Sequence, residues 1–144
     1  MAEPATPGLV ELMRRFTDTL ERRDFDEALG FFGPDPEWDM SAMGMGTFNG
    51  PVAIRALLED WTASYDEWEI QFEQPLDFGS GVMLASFLER GRPAGSTGSV
   101  QLRYAAVGRW AGDMIVRVAT YSDIDEARAA AEQLAQEGRH SSKI

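Results

Sequence analysis

Trp68-Glu-Ile-Gln-Phe-Glu73 is where the hydrophobic period of this chain changes from helical to two. Trp68, Ile70 and Phe72 alternate with Glu69, Gln71 and Glu73, the pattern of a strand with one face on a core and one in water. Downstream the period stays at two. Val82 to Arg90, Ser99 to Trp110 and Met114 to Tyr121 read as strands, divided by the turn Gly79-Ser-Gly81, the loop Gly91 to Gly98 and the turn Ala111-Gly-Asp113. Asp123 and Glu126 then form a capping box before an alanine-rich helix from about Ile124 to Gln136.

Upstream the period is helical. Thr6-Pro7 reads as an N-cap and first helical proline, and Leu9, Leu12, Met13, Phe16 and Leu20 carry that helix to about Arg22. Asp24 and Glu27 cap a short second helix with the stripe Phe25, Ala28, Leu29 and Phe32, which Gly33-Pro-Asp-Pro36 ends before a brief strand around Trp38. Asn49-Gly-Pro51 opens a third, with Ile54, Leu57, Leu58, Trp61 and Tyr65 on one face. Helices first and a meander second indicate an α+β fold, a cone-shaped half-barrel whose curved antiparallel sheet wraps around the N-terminal helices. One domain over residues 7–136 is expected, with residues 1–6 and 137–144 as flexible termini.

Composition narrows the function. A chain of 144 residues with 44% hydrophobic content buries a core unaided. A net charge of −11 lacks the basic footprint of a nucleic-acid binder and disfavours anionic membranes. There is no cysteine, hence no thiolate nucleophile and no cysteine-based metal site. The single histidine, His140, lies in the polar tail, so neither a Ser–His scheme nor a metal site is expected, and no cofactor. The start carries no secretion signal and no apolar run reaches the ~20 residues that span a bilayer, so a cytoplasmic protein is expected.

Four segments carry a resemblance: Arg22-Arg-Asp-Phe-Asp-Glu-Ala-Leu29, Phe48-Asn-Gly-Pro-Val-Ala-Ile-Arg55, Arg103-Tyr-Ala-Ala-Val-Gly-Arg-Trp110 and Ile115-Val-Arg-Val-Ala-Thr-Tyr-Ser-Asp123. In this order the chain resembles the SnoaL-like branch of the nuclear transport factor 2-like superfamily, from Leu9 to about Leu134. The resemblance implies a cone that takes a hydrophobic cyclic or polyketide-like molecule, as binder or as cofactor-free isomerase, cyclase or hydrolase. It also implies a homodimer through the outer sheet face. Against the ketosteroid isomerases of that group, Asp39 falls at the base, but Phe16 stands at the tyrosine and Ala106 at the oxyanion acid. That mechanism is not expected here.

Strand parity gives a separate reading of the pocket. The less charged faces put Leu102, Tyr104, Ala106, Trp110, Met114, Val116 and Val118 inside and Arg103 and Arg109 outside. Phe16, Trp38, Met40, Met43, Phe48 and Trp61 complete the expected lining, the methionines as a flexible lip. Tyr104 is the candidate ligand anchor and Asp39 the candidate acid or base. If Trp38 and Met40 point inward, Asp39 points out, and a bulge in the short strand would reverse this. A second reading is a non-catalytic dimeric module whose cavity Trp38, Phe48, Trp61 and Trp110 fill.

Overall fold

The structure is a computed structural model that describes residues 2–73 and 75–141, with side chains as far as Gly138. Short strand β1 (Glu3–Pro4) precedes α1 (Pro7–Glu21) and α2 (Phe25–Leu29). Next come β2 (Phe32–Asp39), a single 3-10 turn at Ser41–Met43, β3 (Thr47–Asn49) and α3 (Gly50–Ala63). The second half holds β4 (Tyr65–Phe72), β5 (Leu76–Gly79), β6 (Val82–Pro93), β7 (Val100–Ala111), β8 (Met114–Tyr121) and α4 (Ile124–Ser141). None of the described helices is long and apolar enough to cross a membrane.

The helix starts follow local chemistry. Thr6 Oγ1 accepts from the Leu9 amide, and Pro7 at the first turn lacks only an N–H that would have had no partner. Asp24 accepts from the Glu27 amide at 3.1 Å, and Asp123 accepts from the amides of Asp125 and Glu126. The Asn49 side chain makes no such bond, and α3 begins from Gly50 at φ +87°.

The eight strands form one curved, unclosed sheet in the order β1-β5-β6-β7-β8-β2-β3, with β4 also on β6. Strand β6 is long enough to take two partners in succession: β5 pairs with its first residues (Leu76↔Leu84) and β4 with its last (Phe72↔Phe87 to Tyr65↔Pro93). The sheet is mixed rather than wholly antiparallel, because β2 runs parallel to β8 (Trp38↔Val118). Alternation along one strand carries no information about its partner's direction. The expected turn at Gly33–Pro36 is instead part of β2, whose ladder to β8 breaks between Phe32 and Glu37. Pro34 and Pro36 cannot donate to a ladder, yet their fixed φ suits extended chain.

Helices α1 to α3 fill the concave face, where Leu20, Ala28, Ile54, Leu57 and Leu58 meet Trp38, Met83, Ala85 and Trp110. Helix α4 lies on the convex face and continues past Gln136 to Ser141. Its Ala127, Ala131 and Ala135, all but fully buried, pack on Phe78, Val82, Leu84, Ala105 and Val107. Methyl-sized side chains let the helix approach the sheet closely. The side chain of His140 lies outside the described residues.

Candidate functional site

Aromatic rings occupy the depth of the cone. Phe16 meets Phe32 edge-on at 5.6 Å, Phe32 leads to Trp38 at 6.1 Å, and Trp38 to Trp61 at 6.5 Å. Trp61 then meets Tyr104 at 5.8 Å, and Tyr104 stacks on Phe87 at 5.3 Å. Trp38 is fixed further by its indole N–H, which donates to Thr120 Oγ1 at 3.0 Å. The chain of rings leaves an inner cavity of only about 70 Å³. Phe16, Trp38, Trp61, Tyr104, Ala106, Trp110 and Val118 all line it.

A second, larger concavity lies where α3, the 3-10 turn and the start of β7 meet. This groove holds about 350 Å³ between Met40, Met43, Met45, Phe48, Leu57, Asp60, Trp61, Ser64, Leu102, Tyr104 and Thr120. Trp61, Tyr104 and Thr120 form the wall between groove and cavity. The expected lining therefore divides: Met40, Met43, Phe48 and Leu102 belong to the groove, and Leu102 is 39% exposed rather than interior.

Met114 and Val116 line neither space, against the parity reading. The cause is a bulge: Arg109 pairs with Arg117, but Trp110 pairs with Ile115, so Val116 is an extra residue in β8. Beyond it the parity inverts, Ile115 takes the inward place, and Met114 is 38% exposed. Arg103 and Arg109 are exposed and line neither space.

Asp39 faces away from Trp38, and its carboxylate lines neither space. Oδ1 accepts from the Ser41 amide at 2.9 Å and the Thr47 hydroxyl at 3.3 Å, and Oδ2 accepts from Arg117 at 3.2 Å. Arg117 also donates to Glu37 at 2.8 Å. Burial works to raise the Asp39 carboxyl, but the Ser41 bonds, the Arg117 charge and the Thr47 hydroxyl outweigh it and hold it below the ordinary value. A carboxylate held as an anion in this way is a poor proton acceptor near neutral pH.

The acid inside the cone is Glu89, on β6, 1% exposed. Its Oε1 accepts indole N–H bonds from Trp61 at 2.7 Å and from Trp68, while Oε2 has no hydrogen-bond partner among the described residues. Burial raises the carboxyl, and the Trp68 and Trp61 bonds and the nearby Tyr104 hydroxyl offset this only in part. Burial, and then the Glu89 carboxyl, push the Tyr104 phenol well above its ordinary value, so it stays protonated. The sequence reading did not single out Glu89, although the signal was present. Met83, Ala85 and Phe87 put the odd positions of β6 on the concave face, and parity carries Glu89 there too. Among the described residues no three His, Cys, Asp or Glu side chains are grouped to hold a metal ion.

Comparison with solved structures bears on the fold. An NTF2-like protein of unknown function from Burkholderia pseudomallei shares 20% identity, over 84% of this chain and 95% of that one, at a TM-score of 0.68. TerC crystallised with polyporic acid shares 16% over 86% and 98%, at 0.68. An LEH-like epoxide hydrolase from M. tuberculosis shares 16% over 90% and 93%, at 0.66. At these identities the likeness is one of fold. No curated protein matches the chain in sequence. Residues 13–118 match the model of the SnoaL-like domain, so this chain, an α+β cone of the nuclear transport factor 2-like kind, belongs to the SnoaL-like family.

Proposed function

We propose that this chain is a small-molecule-binding domain whose ligand, an apolar ring system, lies in the groove at the mouth of the cone. The observation that carries this reading is the contrast in volume. An engineered cavity of about 150 Å³ admits one benzene, and ligand pockets run from about 300 Å³ upward. The inner cavity, at about 70 Å³, is too small for a ring, and the groove, at about 350 Å³, is not. The methionine lip adds adaptable apolar surface beside the flat faces of Trp61 and Tyr104.

Any chemistry would be proton transfer without a cofactor, of the isomerase, cyclase or hydrolase kind. Tyr104 is the anchor for a ligand oxygen, with the buried Glu89 carboxyl behind it; Asp39 is a weaker candidate because its carboxylate is already engaged. The self-filled depth favours binding over catalysis. A homodimer through the outer sheet face would have to use the part that α4, packed on β5 to β8, leaves open, and gel filtration at micromolar concentration reports on it.

The test of the groove uses 2-naphthylmethanol, followed by quenching of tryptophan fluorescence. Ser64→Trp, which blocks the groove, is expected to weaken binding at least tenfold, and Ala106→Val, which fills the inner cavity, to leave it within twofold. The reverse order would move the site into the cone and overturn the reading.

A further inference from the structure

Resting on that reading of the groove, we propose that its ligand carries a positive charge, as a protonated amine or a quaternary ammonium on an apolar ring system. Three observations converge on this class. Among the described residues, no lysine, arginine or histidine lines the groove or the inner cavity, so no positive charge there would compensate an anion. Asp60 stands at the groove, exposed, and makes no ion pair among the described residues. Behind the shared wall of Trp61 and Tyr104, the buried Glu89 keeps Oε2 without a hydrogen-bond partner among the described residues.

The walls suit the same guest. A cation over an aromatic face gains from the ring quadrupole, most strongly with tryptophan, and gains more as it sheds water. Trp61 and Tyr104 line the groove at a mutual tilt of 56°, and Phe48 faces it from β3. Both indoles beside Glu89, from Trp61 and Trp68, turn their N–H groups toward Oε1. This aligns two dipoles to support negative charge on the carboxyl, and of the two rings it is Trp61 that lines the groove. A cation one ring away adds to that support. The net charge of −11 raises the local concentration of cations and lowers that of anions.

Three probes on one skeleton test the inference: 2-naphthylmethylammonium, 2-naphthylmethanol and 2-naphthoate, titrated at low and high salt into the full chain. The expected order is ammonium over alcohol by at least tenfold, with naphthoate weakest. Asp60→Asn and Glu89→Gln should each reduce the ammonium-to-alcohol ratio by threefold or more, whereas a merely structural defect would weaken both probes alike and leave the ratio where it was. Alcohol binding as tightly as ammonium in the wild type overturns the charge assignment and leaves the groove standing. If none of the three binds, the groove reading fails and this inference with it.

Discussion

Glu89→Gln separates the charge of the buried acid from its geometry. Oε1 accepts both indole N–H bonds, and a carboxamide oxygen can take the same place, with the amide nitrogen where Oε2 lacks a partner. The substitution therefore keeps the bonds and removes the titration. The folded carboxyl binds its proton more firmly than the ordinary glutamate value of 4.5 in the unfolded chain. Below that value both states are protonated and the contribution to stability is fully present. As pH rises toward the folded value, only the native state still holds the proton, and stability falls by up to about 1.4 kcal/mol per pH unit. Asp39 acts in the opposite sense, since its lowered carboxyl contributes stability above the unfolded value of 3.8 that is lost as pH falls. Subtracting the Gln variant from wild type isolates Glu89. Urea titrations from pH 4 to 8, followed by far-UV circular dichroism, should show wild type losing stability relative to the variant as pH rises above 4.5. A flat difference curve, or one of opposite slope, would refute the assignment of Glu89 as a buried acid that resists ionisation.

Other substitutions test the frame around the site. Gly81 has φ +78°, and a Cβ there would lie 2.3 Å from the Trp110 carbonyl oxygen, so Gly81→Ala should cost about 2–3 kcal/mol in urea titration while Gly98→Ala in an open loop costs nothing measurable. Ala131→Leu should lower stability by about 1–3 kcal/mol through overpacking under α4, whereas Ala129→Leu on the exposed side of the helix stays within about 0.5 kcal/mol of wild type. Asp39→Asn weakens a partly exposed pair with Arg117, so about 0.5–1 kcal/mol of stability is lost and 2-naphthylmethanol binding is unchanged; a tenfold loss of binding would put Asp39 back at the site.

What the sequence made legible was local. Thr6-Pro7 and Asp24 announce helix starts because capping depends on residues within one turn. Tyr104, Ala106 and Trp110 face inward because alternation holds along an unbroken strand. What failed depended on contacts between distant segments. Val116 is an extra residue only with respect to its partner on β7, and nothing in Met114 to Val118 marks it in advance. The parallel pairing of β2 with β8 and the seat of α4 on the convex face are also decided across the fold. The alanines of α4 signal a close-packed helix, but not which surface receives it. Glu89 was within reach, since a carboxyl in the apolar phase of Met83, Ala85 and Phe87 is itself a conflict that only burial with partners resolves.

The most direct measurement is the set of intermolecular nuclear Overhauser effects from bound 2-naphthylmethanol to assigned methyl groups. Met43 and Met45 line only the groove, while Ala106 and Val118 line only the inner cavity. Contacts to the two methionine methyls, with none to Ala106 or Val118, are the expected result. Contacts to Ala106 and Val118 without the methionines would contradict the account, because they would show that the rings inside the cone part to admit the ligand.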